Sequence, residues 1–125
     1  MSYHVHIKGC FKPYVRMTQR GKWVRKEAQQ YLSDKTAMQL QLKAAMVDRP
    51  MLPRGPMFVQ IIISHDHGFH HRDLDNEVKA VLDAMQGIVF KNDCWVDRID
   101  ARRCRGSECS VSIYVAMIEG EGDGL

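Results

Sequence analysis

The stretch MFVQIIIS, residues 57–64, decides how this chain folds. It is almost continuously apolar, with Phe58, Val59 and three consecutive isoleucines, and it is short for a core helix. Apolar runs of this length are typical of a strand that is buried on both faces of a sheet. The sequence therefore predicts a central strand here, and the far end of that strand leads into a polar segment.

A helix is predicted after that polar segment. Val78, Val81, Leu82 and Met85 recur at the spacing i, i+3, i+4 and i+7, which makes one apolar stripe on a helix. Gly87 then supplies a stop signal. A strand, this helix and a further strand predict a right-handed parallel crossover.

The other elements complete a small α+β (mixed α/β) domain. Alternation of apolar and polar residues over residues 3–8 predicts a half-buried first strand, and residues 9–25 read as a loop. Helical spacing predicts a long helix from about Lys26 to Val47, with a break near Ser33 and Asp34. Residues 95–103 and 108–118 read as strands joined by a hairpin turn at 105–107. The predicted order is β-α-β-α-β-β, with two helices on a small mixed sheet.

Length and hydropathy suit a single domain over residues 1–118, followed by an acidic, glycine-rich tail at 119–125 that we expect to be flexible. No apolar run is long enough to span a bilayer, and no signal peptide is recognisable. We therefore expect a cytoplasmic protein without a membrane partner. Cys10, Cys94, Cys104 and Cys109 are expected to be free thiols, with Cys104–Cys109 pairing across the hairpin as the alternative.

The net charge of +3 is unevenly distributed, because no acidic residue precedes Glu27. Basic residues in that region alternate with aromatic ones, a pattern typical of loops that follow phosphates and stack on exposed bases. A solvated basic loop is the plain alternative. The candidate nucleic-acid contacts here are Lys12, Arg16, Arg20, Lys22 and Arg25.

Carboxylates cluster around the second helix. Asp73 and Asp75 precede or begin it, and Asp93 follows it. Because Mg²⁺ prefers hard oxygen ligands, we expect these three side chains to converge on one cation. Lys79 lies one turn beyond Asp75 and could face a metal-bound phosphate.

Two plainer interpretations compete with a metal site. Asp75 or Asn76 could cap the helix, and Lys79 could pair with Asp75 or Asp83 on a solvated face. A helix cap does not need all three aspartates, and a lysine beside clustered carboxylates is typical of metal-assisted phosphoryl chemistry.

A run of histidines offers a different metal. His65-Asp66-His67, followed by His70, could supply ligands to Zn²⁺, which imidazoles favour. No second ligand pair with structural-zinc spacing accompanies them. His71 and Arg72 adjoin Asp73, so they are better candidates for contacts with phosphate than for zinc ligands. Asn76 is a further candidate for contact with DNA.

The central motif resembles a known family. The run DLDN at 73–76, Lys79, the helix at 80–85, the hydrophobic turn at 87–90 and Asn92-Asp93 look like the core of the RusA-type Holliday-junction resolvases. These are small endodeoxyribonucleases common in phages and prophages. Residues 12–18, KPYVRMT, are similar to the basic N-terminal segment of that family. The resemblance implies that Asp73, Asp75 and Asp93 hold a divalent metal, with Lys79 close by.

One position departs from the family pattern. That pattern has two consecutive aspartates followed by a small residue and glutamine, whereas this chain reads Asn92-Asp93-Cys94-Trp95. Asn92 keeps an oxygen but loses a charge, and Trp95 replaces an amide. The departure bears on metal affinity and on local DNA contact.

The resemblance implies an Mg²⁺-dependent, structure-selective endonuclease that resolves four-way junctions in DNA recombination and repair, with Mn²⁺ as a substitute. A homodimer could make paired nicks, since a junction has near two-fold symmetry. The expected setting is a bacterial or phage-infected cell. The alternatives are a catalytically weak junction- or single-strand-binding module and a metal-dependent phosphoesterase that acts on nucleotides.

Overall fold

The computed structural model describes residues 1–9, 26–66 and 73–118, apart from the side chains of 26–28. It confirms the α+β class and the predicted order of elements. The helices are α1 (Lys26–Ala45) and α2 (Leu74–Met85), and a short 3₁₀ helix spans Asp93–Trp95. The strands are β1 (Ser2–Lys8), β2 (Met57–His65), β3 (Val96–Arg105) and β4 (Ser110–Met117).

The four strands form one mixed sheet in the order β1-β4-β2-β3. β4 runs antiparallel to both β1 and β2, while β2 and β3 are parallel, as expected for the crossover through α2. The predicted hairpin between the last two strands is wrong, because β2 lies between them. Ser64 of β2 pairs with Cys104 on one side and with Ser110 on the other.

The core lies on one face of the sheet. Along β2, buried residues alternate with half-buried ones, so the prediction of full burial on both faces is also wrong. Met57, Val59, Ile61 and Ile63 belong to the same buried cluster as apolar residues of both helices. The structure is thus a two-layer sandwich, with β2 half-covered on the face opposite the helices.

The helices follow the predicted apolar pattern. Val78, Val81, Leu82 and Met85 are all buried, and α2 ends just before Gly87, whose φ of 81° favours glycine. α1 continues through residues 33 and 34 without the expected break. The Tyr31 hydroxyl of α1 donates to Asp83 Oδ2 of α2 at 2.9 Å. Neither described helix has the length and hydropathy of a membrane span.

The strand order also explains why Cys104 and Cys109 do not form a disulfide. Cys94 and Cys104 are free, whereas Cys109 is disulfide-bonded, which corrects the expectation of four free thiols. Because β2 separates β3 from β4, Cys104 and Cys109 lie about two strand spacings apart, roughly 9–10 Å. That is more than the roughly 7 Å between Cα atoms that a disulfide tolerates. Cys10 and the tail at 119–125 lie outside the described residues.

Candidate active site

Two of the three predicted metal ligands lie at the start of α2. Asp73 occupies the N-cap position with extended backbone, but its side chain makes no capping hydrogen bond. The Asp73 carbonyl oxygen accepts a hydrogen bond from the Glu77 N–H at 3.1 Å, so Asp73 starts the helix through its backbone and not through its side chain. The Asp73 and Asp75 side chains are exposed. Capping therefore does not account for the carboxylate of Asp73, and both carboxylates are accessible to a ligand.

Lys79 lies one turn after Asp75, and its side chain is exposed. Residues four apart lie on the same face of a helix, so the ammonium group is on the side of Asp75. Asp83, the other partner considered for Lys79, accepts the hydrogen bond from Tyr31 described above. Asn76 is half-buried in the first turn.

The third predicted ligand, Asp93, is held by a tight turn. Asn92 Oδ1 accepts from the Cys94 N–H at 2.9 Å and so caps the short 3₁₀ helix. The Asp93 N–H lies 3.4 Å from Gln86 Oε1, and Gln86 is the C-cap residue directly after α2. Asn92, where the family pattern has an aspartate, therefore uses its side-chain oxygen to shape the turn that carries Asp93.

The structure does not bring the three aspartates together within one chain. Asp73 and Asp75 lie at the start of α2 and Asp93 beyond its end, and twelve helical residues span about 18 Å. The strand directions lead to the same separation. β2 and β3 are parallel, so the end of β2, which precedes α2, and the start of β3, which follows Asp93, lie at opposite ends of the sheet. Across residues 1–9, 29–66 and 73–118, no three His, Cys, Asp or Glu side chains form a group that could hold a metal.

A buried polar cluster lies directly behind the start of α2. His65 Nε2 at the end of β2 is 2.9 Å from Glu77 Oε2, and Arg103 of β3 places its guanidinium 3.5 Å from Glu77 Oε1. His65 and Glu77 are only 2% and 5% exposed. The Glu77 carboxylate thus ties the first turn of α2, which carries Asp75, to the ends of two strands.

This cluster was not predicted from the sequence, although a signal was present. Glu77 precedes the buried residues Val81 and Ala84 by four and seven positions, so helical spacing places it on the buried face. Buried carboxylates are nearly always paired, so a glutamate on the buried face predicts a hydrogen-bonding or cationic partner in the core. The partners come from β2 and β3, and only the tertiary fold shows which residues they are.

Replacing Glu77 should destabilise the protein. Glu77→Ala leaves His65 and the Arg103 guanidinium without the carboxylate that they share, so we expect a loss of about 3 kcal/mol in the free energy of unfolding. Glu77→Gln keeps an acceptor oxygen and the shape, and should lose less. Denaturant unfolding measures both, with Asp100→Ala, an exposed carboxylate on β3, as the control at under about 0.5 kcal/mol. Equal stability of Glu77→Ala and this control would contradict the role.

The remaining sequence candidates fall outside the described residues. They are Lys12, Arg16, Arg20, Lys22, Arg25, His71 and Arg72, together with His67 and His70 of the zinc alternative. His65, the described histidine of that alternative, directs Nε2 to Glu77. One of its two ring nitrogens is therefore engaged with a carboxylate in this structure.

Comparison with known protein families gives a match over most of the chain. The family of endodeoxyribonuclease RusA matches residues 11–116 of this chain. No curated individual protein matches significantly. The matched region contains α2 and every proposed metal ligand, and it covers most of the 125 residues. The chain therefore belongs to the RusA family of endodeoxyribonucleases.

Proposed function

We propose that this protein is an Mg²⁺-dependent homodimer that cuts four-way DNA junctions by paired nicking. Membership of the family supports the nuclease activity. The observation that carries the metal site is the pair of exposed carboxylates, Asp73 and Asp75, two residues apart at the start of α2, with Asp73 unused as a cap. Hard, accessible carboxylate oxygens fit Mg²⁺ or Mn²⁺.

The position of Asp93 suggests how the site is completed. About 18 Å of helix separates it from Asp73, which an aspartate side chain cannot bridge. In a two-fold dimer, a residue at one end of α2 can approach the opposite end of the partner helix. We therefore propose that each metal site combines Asp73 and Asp75 of one chain with the partner subunit's Asp93.

The chain's own residues have distinct roles in this scheme. The bound ion would activate water and neutralise charge on the scissile phosphate. Asp73, Asp75 and Asp93 hold the ion, while Lys79 offsets the charge that develops on the phosphate. The buried Glu77 keeps the first turn of α2 fixed against β2 and β3.

The other DNA contacts belong to the basic residues. The residues proposed to contact phosphates are Lys12, Arg16, Arg20, Lys22, Arg25, His71 and Arg72. Asn76 is proposed to contact the DNA beside the cut. A dimer with two sites matches the symmetry of a four-way junction and would place one nick in each of two strands. We place this activity in the cytoplasm of a bacterial or phage-infected cell, where branched DNA arises in recombination and repair.

Metal dependence and substrate choice test the proposal together. We expect nicking of a four-way junction with Mg²⁺ or Mn²⁺, and none in EDTA, because the ligands are oxygens that need a hard divalent ion. Linear duplex of the same sequences and free nucleotides serve as controls and should remain intact.

Each other outcome identifies an alternative. Junction binding without cleavage at any metal concentration would favour the binding module, and release of phosphate from nucleotides would favour the phosphoesterase. Full junction cleavage in EDTA would remove the metal from the mechanism.

A further inference from the structure

An open groove lies beside Asp93, at the edge of the sheet where β2 and β3 begin. Two adjoining lobes of about 170 and 210 Å³ form it. The buried side chains of Leu52 and Met57 lie beneath one lobe. The exposed described residues that line the groove are Met51, Pro53, Arg54, Lys91, Asn92, Cys94 and Trp95.

The two walls of this groove are held by backbone contacts. The Leu52 N–H donates to the Val89 carbonyl oxygen at 2.8 Å, and Leu52 forms a β-bridge with Phe90. On the other side, the Asn92 cap fixes the turn that presents Trp95. The groove is thus shaped before any ligand arrives, which lowers the cost of binding.

Trp95 and two cations give the groove its chemistry. The Trp95 side chain is 36% exposed, although an indole gains much from burial. Arg54 and Lys91 line both lobes, and neither forms an ion pair with the described carboxylates. No described acidic residue lines the groove, even though Asp93 and Asp97 flank Trp95 in sequence. A flat aromatic surface next to two cations suits a ligand with a planar ring and an anionic group.

We propose that this Trp95 groove binds one unpaired nucleotide of the DNA substrate, with its base stacked on Trp95 and its phosphate between Arg54 and Lys91. Stacking on an aromatic side chain accepts any base, because every base has a π face. The proposal rests on the proposed function, since Asp93 next to the groove would place that nucleotide beside the cut. Bases in continuous duplex are stacked on each other, so the groove favours branched or single-stranded DNA.

Fluorescence tests the contact directly. The chain contains two tryptophans, so Trp23→Phe leaves Trp95 as the single tryptophan, whose emission can be excited selectively. In EDTA, which prevents cutting, a short oligothymidylate should quench that emission in a saturable way, and matched duplex should quench it much less. DNA binding followed independently by anisotropy of a labelled oligonucleotide, with no change in Trp95 emission, would overturn the proposal.

Substitutions separate stacking from a structural role. Trp95→Ala should weaken single-strand affinity about tenfold with duplex affinity unchanged, and Trp95→Phe should restore most of the loss. Because Arg54 and Lys91 share one phosphate, the double variant Arg54→Ala/Lys91→Ala should reduce the steepness of log affinity against log salt by about one unit. If Trp95→Ala instead converts a dimer to a monomer and weakens both DNAs equally, the groove is a protein interface and the proposal fails. Quenching without any junction cleavage would support the groove and count against the proposed nuclease.

Discussion

Asp73→Asn is expected to slow junction nicking by at least about a thousandfold while leaving junction binding intact or tighter. A metal ion supplies several kcal/mol of transition-state stabilisation, and each 1.36 kcal/mol is about tenfold in rate. Because the Asp73 side chain is exposed and makes no capping hydrogen bond, its charge is not needed for the fold. Losing one negative charge also reduces repulsion of the DNA phosphates. Single-turnover nicking and junction affinity, measured on the same preparation, separate these effects.

The same result is expected for Asp75→Asn and Asp93→Asn. Asp75 is exposed, and Asp93 contributes its backbone N–H, unchanged by the substitution, to Gln86. Asp97→Asn is a matched control, since it removes an exposed carboxylate four residues from Asp93 and should cut at the wild-type rate. Wild-type nicking by all three variants would mean that the metal site lies elsewhere.

Much of the fold could be predicted because local pattern and tertiary burial agree. The continuous apolar run of β2 does take a central position in the sheet, and the stripe of α2 is buried as its period requires. Gly87 marks the end of that helix because its positive φ is costly for other residues. These features depend on residues close together in sequence.

The partners of each strand could not be predicted in the same way. Alternating residues on either side of a glycine-containing turn are typical of a hairpin, and they predicted β3 beside β4. The same pattern fits two strands that flank a third, and here β2 occupies the position between them. Whether β3 and β4 pair with each other or with β2 depends on both edges of β2 being open for pairing. That property is non-local, and the alternation of residues does not encode it.

The candidate active site could likewise be predicted only where its residues lie close together in sequence. Asp73 and Asp75 lie two residues apart at the start of α2, whereas Asp93 lies about one α2 length away. A gap of helix length brings residues to opposite ends of the sheet when the next strand is parallel, and the predicted crossover already implied that separation. The Glu77 cluster could not be predicted without the tertiary fold, because the partners of Glu77 come from two strands.

A mixed dimer tests the shared site. One chain carries Asp73→Asn and Asp75→Asn, and the other carries Asp93→Asn, so each homodimer alone should be inactive. If each site combines Asp73 and Asp75 with the partner subunit's Asp93, the heterodimer has one intact site and one with no native ligand. If each chain supplied all three of its own ligands, both sites would be damaged.

The most direct measurement uses this heterodimer, purified through two different affinity tags and incubated with a labelled four-way junction in Mg²⁺. The shared site predicts nicking of one strand per junction at a rate within about a factor of two of one wild-type site, without the second, paired nick. The two homodimers, and the heterodimer in EDTA, should leave the junction intact. A heterodimer that binds the junction and leaves all four strands uncut would contradict a metal site built from Asp73, Asp75 and the partner subunit's Asp93.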